Sequence, residues 1–140
     1  MMIEYPLNYY TLVYAHLATI LPAFAIGTYM MIRRKGSTQH KFLGKIYLLL
    51  MLTTASIALF IPAFAGPRLL LNHFGLIHLL CVLTIYTCPA AYIAIKKGET
   101  KKHRYLMIYL YVGGLIIAGF FTLMPGRFLG ELLFNSKLLS

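Results

Sequence analysis

Four stretches of this chain contain no Asp, Glu, Lys or Arg: Tyr5–Ile32, Ile46–Pro67, Leu69–Ile95 and Tyr105–Gly126, of 28, 22, 27 and 22 residues. A helix of about 20 apolar residues crosses a hydrocarbon core of roughly 30 Å, because each residue advances it by about 1.5 Å. Each run is long enough to cross a bilayer once, and together they use most of the 140 residues. Composition agrees: 60% of residues are hydrophobic, 11% are charged, and the mean hydropathy is +0.76. Soluble domains sit nearer half and a quarter. The expectation is an all-α integral membrane protein, a four-helix bundle in one transmembrane domain. Its spans are placed near 9–32, 42–64, 72–95 and 104–125, with an amphipathic tail over 128–140.

What is missing restricts function further. The chain has no Asp, and its three acids, Glu4, Glu99 and Glu131, all lie outside the uncharged runs. Paired-carboxylate catalysis, a Ser-His-Asp triad and a carboxylate proton relay within the membrane therefore have no residues to work with.

The net charge is +10, which in a soluble protein would suggest nucleic acid. Its distribution says otherwise. Arg33, Arg34, Lys35, Lys41 and Lys45 lie between the first and second spans, and Lys96, Lys97, Lys101, Lys102 and Arg104 between the third and fourth. The opposite side holds only Arg68, Arg127 and Lys137. This asymmetry predicts a plasma (inner) membrane protein with both basic loops cytoplasmic and both termini extracytoplasmic. The basic loops are also expected to attract anionic lipid headgroups, and no nucleic-acid partner is expected.

The N-terminal run lacks a basic leader and is too long for a signal-peptide core, so it reads as a span. Cys81 and Cys88, seven residues apart, share a helix face about 10 Å apart and read as packing residues. Gly36-Ser37-Thr38 and Gly98-Glu99-Thr100 each supply a helix stop and a cap for the next helix. Pro22 and Pro89 fall inside spans, where each should kink its helix and free a carbonyl. Leu129, Leu132, Leu133 and Phe134, set against Glu131, Asn135 and Lys137, place the tail along the outer interface.

An internal repeat is also visible. A shift of 62 residues aligns His16 with His78 and Lys35-Gly36 with Lys97-Gly98, and a shift of 63 aligns His40-Lys41 with His103-Arg104. The same shift puts Pro62 on Pro125. The implied bundle is two parallel helical-hairpin repeats about a pseudo-twofold axis along the membrane normal. His16 lies 17 residues before Arg33 and His78 lies 18 before Lys96. Both sit toward the outer side, while His40 and His103 open their helices at the inner side. His73 is unpaired and lies near the outer loop.

Ionisable residues within a membrane need partners and are functional candidates by default. Two imidazoles facing each other within a bundle are what bis-histidine ligation of b-type haem requires. The expected ligand pairs are His16 with His78 and His40 with His103, for one or two haems. Gly27, Gly44 and Gly114 would help a flat macrocycle fit, or would serve plain helix packing, as would Gly113 and Gly119. Arg68 and Arg127, at the outer ends of the second and fourth helices, would pair with haem propionates or with lipid phosphate. Copper also suits imidazole, but the seven Met residues share no face.

The outer–inner–outer–inner order of histidines on four consecutive helices resembles the core of the cytochrome b-561 family over roughly 9–125. That resemblance implies two haems, ligated by the first and third and by the second and fourth core helices, and electron transfer across the membrane. The two further flanking helices of that family are absent here, and no segment matches its electron-donor site. The segments Lys35-Gly36-Ser37-Thr38-Gln39-His40-Lys41-Phe42-Leu43-Gly44 and Pro125-Gly126-Arg127-Phe128-Leu129-Gly130 resemble a group of bacterial membrane proteins, domain of unknown function 2306, which implies no activity.

Three functional classes follow. The first is a haem-b electron-transfer protein, drawing on quinol or another small reductant. The second is a non-catalytic accessory or structural subunit, without cofactor, in a homodimer or larger membrane complex, where the histidines act as packing glue. The third, a transporter component, is disfavoured because no acid or amide pair lines the spans.

Overall fold

A computed structural model describes residues 7–61, 68–70, 74–124 and 128–134. Helix α1, Leu7–Ile32, runs unbroken through Pro22. Its end is fixed by Lys35, whose Nζ donates to the Met31 carbonyl at 2.8 Å. Gly36 then turns the chain at a φ of +89°, a left-handed conformation that costs glycine little. Helix α2, Thr38–Leu59, starts at once because Ser37 Oγ accepts the His40 N–H at 3.1 Å, satisfying an otherwise orphaned donor.

Helix α2 ends at Leu59 rather than near residue 64. Phe60 and Ile61 close it with tight bonds to the carbonyls of Ile57 and Ala58. Two short antiparallel strands follow, β1 over Arg68–Leu70 and β2 over Phe74–Gly75. The second strand occupies the start of the expected third span, so helix α3 begins at Leu76 and runs to Lys96 through Pro89. Gly98, at φ +77°, makes the second turn.

Helix α4, Thr100–Thr122, opens differently. Its N-cap is Glu99, which gives no side-chain cap, so the second turn lacks the cap expected of it. The segment Val112–Ile117 is a π-helix. On a regular α-helix Leu115 would lie about 140° around from Leu110. The wider π turn brings both to the core, where they are 6% and 2% exposed. A terminal helix, Phe128–Phe134, covers part of the expected tail, and its Gly130 lies against the carbonyls of Leu123 and Met124.

All four long helices have the length and hydropathy to cross a membrane, and this is a membrane protein. Consecutive helices pack together, and Tyr111 brings α4 back to α1. Its hydroxyl lies 2.8 Å from Thr28 Oγ1, and its ring stacks on Phe24 at 6.4 Å. The core is built on Ala23, Tyr47, Met51, Cys88, Ala91 and Leu110. Leu21, Leu49, Tyr86 and Phe120 point outward, as lipid-facing residues must. Cys81 and Cys88 are both buried free thiols.

Candidate functional site

Histidine geometry decides what this bundle can hold. His16, on α1, has Nδ1 at 3.1 Å from the Thr54 carbonyl and 2.9 Å from Thr54 Oγ1. A carbonyl only accepts, so Nδ1 carries the proton. Thr54 Oγ1 lies 3.3 Å from the His16 carbonyl. The pair therefore ties α1 to α2 at the buried Thr54, which is 3% exposed.

His78, on α3, is equally buried. Its Nδ1 accepts the Gly75 N–H at 3.1 Å, and its Nε2 donates to the Ile61 carbonyl at 2.9 Å. This ring anchors the start of α3 to the end of α2. With both nitrogens engaged, it offers no lone pair to a metal in this arrangement. His16 and His78 are thus held by different partners, Thr54 and Ile61. Thr54 lies within α2, and Ile61 lies just beyond its end at Leu59.

At the basic end, His103 Nδ1 donates to the Ala91 carbonyl at 2.8 Å, tying α4 to α3. Ala91 is fully buried, so this bond replaces solvent for that carbonyl. His40 lies near enough to His103 and Lys35 to feel their charges. His40 and His103 thus lie at the same end of the bundle. Of Arg68 only the backbone is described, and its residue pairs with Gly75. Arg127 and His73 lie outside the described residues.

Two of the glycines considered for a macrocycle, Gly27 and Gly114, lie against the protein's own side chains. A Cβ at Gly27 would lie 2.8 Å from the Tyr47 ring and 3.1 Å from the Tyr111 ring. One at Gly114 would lie 2.6 Å from the Met51 methyl. Both admit a neighbouring helix closely, which is the packing role. Gly44 has ordinary contact with Met30 at 3.7 Å, and Gly113 and Gly119 face open space. Among the described residues, no three His, Cys, Asp or Glu side chains gather as a metal centre.

A family model described as predicted membrane protein (DUF2306) matches residues 13–134. The chain belongs to that family. The match takes in the four spans and both basic turns, and its description carries no activity. No curated protein and no solved structure matches, and the cytochrome b-561 resemblance finds no support in these comparisons.

Two features of this DUF2306 chain escape sequence reasoning. One is the π turn of α4. The other is Tyr47, whose ring is 1% exposed and whose hydroxyl has no hydrogen-bond partner among the described residues. It sits in the core with Cys88 beside it. Its spacing is that of a core aromatic, and nothing in the sequence separates it from the ten other tyrosines.

Proposed function

We propose that this protein is a non-catalytic membrane module, a structural or accessory subunit in which histidines hold the helices in register. One observation supports this above others: His16, His78 and His103 each spend a ring nitrogen on a backbone carbonyl of a neighbouring segment. Hydrocarbon offers polar groups no water, so such ties are retained once made. The basic turns face the cytoplasm and the termini lie outside, by the charge asymmetry. A second copy or a larger membrane complex would pack on the apolar exterior.

A second reading keeps a b-type haem, held at the basic end by His40 and His103, in a protein that takes electrons from quinol or another small reductant. What favours it is the bond from His103 Nδ1 to Ala91. A histidine ligand is oriented in this way by its far nitrogen, leaving Nε2 for the metal. When bound, haem would supply one-electron redox chemistry. The outer pair does not fit that group, because His78 has both nitrogens occupied.

Absorbance and iron content of the purified full chain separate the two. A colourless protein with substoichiometric iron is expected. A reducible Soret band near one haem per chain, abolished in His103→Ala and kept in His16→Ala, overturns the structural reading in favour of the second.

A further inference from the structure

The turn between α1 and α2 closes over a pocket of about 170 Å³ lined by Tyr29, Met30, Arg33, Arg34, Gln39 and His40, among others. We propose that it is a binding site for the phosphate headgroup of an anionic phospholipid.

The pocket is cationic and contains no carboxylate. Arg33 holds its guanidinium 5.6 Å above the Tyr29 ring, which fixes the side chain without neutralising it. Arg34 has no ion pair or hydrogen bond among the described residues. Lys35 is already spent on the Met31 carbonyl, and Ser37 Oγ on the His40 N–H. Two guanidinium forks thus remain at the mouth, and forks match phosphate oxygens.

The second turn is the internal control. It has the same left-handed glycine, but it carries its own anion: Glu99 lies 3.4 Å from Lys102 Nζ. A similar count of basic residues is partly answered there and wholly unanswered in the first turn. Position makes the anion a lipid. The apolar span of α1 ends at Ile32 and that of α2 begins at Thr38, so the mouth lies where helices leave hydrocarbon. Buried Met30 and the more exposed Tyr29 ring supply apolar lining beside the cations. This gives the amphipathic wall that headgroup and acyl chain need together.

The test uses delipidated full chain in detergent, titrated with dioleoyl phosphatidylglycerol and followed by native mass spectrometry. One phosphatidylglycerol should be retained per chain, against none of dioleoyl phosphatidylcholine. The double variant R33Q/R34Q should bind it roughly tenfold or more weakly, with unchanged helicity by circular dichroism. The charge-matched K101Q/K102Q on the other turn should bind as the parent does. Equal weakening in both variants would mean diffuse attraction and overturn the site. Displacement of the lipid by millimolar inorganic phosphate would show a free-phosphate site and overturn the lipid assignment, as would no retention at all.

Discussion

In the first hairpin, His16 on α1 is tied to Thr54 on α2, in the half far from the basic turn, and Ser37 caps the second helix. In the second hairpin the tie is His103 on α4 to Ala91 on α3, close to the basic turn, and Glu99 leaves the helix without a side-chain cap. His78, the counterpart of His16 in the sequence repeat, reaches out of its own hairpin to Ile61 beyond α2. His40, the counterpart of His103, lines a pocket. Positions that correspond in sequence thus carry different bonds. The difference teaches that matched histidines in two hairpins need not make a matched pair of sites, because each ring is satisfied by whichever carbonyl its own helix brings near.

The largest effect expected from this contrast is at His78. Replacing it with Ala removes two hydrogen bonds and leaves a cavity and a bare carbonyl, at a cost of about 2–4 kcal/mol. His40→Ala should stay within about 0.5 kcal/mol, as substitutions without buried bonds do. Unfolding of the reconstituted chain by denaturing detergent measures both, and equal losses at the two histidines would break the contrast.

Next comes Gly27→Ala, at about 1–3 kcal/mol, because the new methyl meets the buried Tyr47 ring and the partly buried Tyr111 ring. Gly114→Ala should cost less, since the Met51 thioether end can swing aside. The same unfolding assay ranks them, and the reverse order would show that the first hairpin is the looser one.

Capping should separate the turns by a smaller margin. Ser37→Ala is expected to cost about 1 kcal/mol. Glu99→Gln should change stability by less than about 0.5 kcal/mol, because its ion pair is largely exposed. Amide exchange at the starts of α2 and α4 would report this, rising only for the Ser37 variant. Smallest of all, Tyr47→Phe should be neutral or stabilising by up to about 1 kcal/mol, since it deletes an unsatisfied hydroxyl. Clear destabilisation in the same assay would mean that the hydroxyl has a partner.

The spans were legible because charge is excluded from hydrocarbon, which leaves long uncharged runs whatever the packing. Gly36 and Gly98 were legible as helix stops for a similar local reason, and both adopt positive φ. The histidine partners were not. Thr54, Ile61 and Ala91 all contribute backbone carbonyls, and every residue has one, so no side-chain pattern marks them. Counting from the basic edge places His16 and His78 toward the helix ends far from the basic turns, but it says nothing of the direction in which either ring points. The start of α3 was misplaced because Leu69–Ile95 is uncharged throughout, and hydropathy does not distinguish the β1–β2 ribbon from the helix that follows it.

The π turn in α4 amounts to one residue of slack in an otherwise taut helix. Bulges of this kind behave as absorbed insertions, so removing Gly113 would let Val112–Ile117 rewind to α geometry while the flanking segments kept their azimuth. The same deletion in α2 ahead of Thr54 would swing everything beyond it by about 100° and pull Thr54 away from His16. Within the long helices, the π turn of α4 is thus the place where one residue can be lost without repacking the bundle.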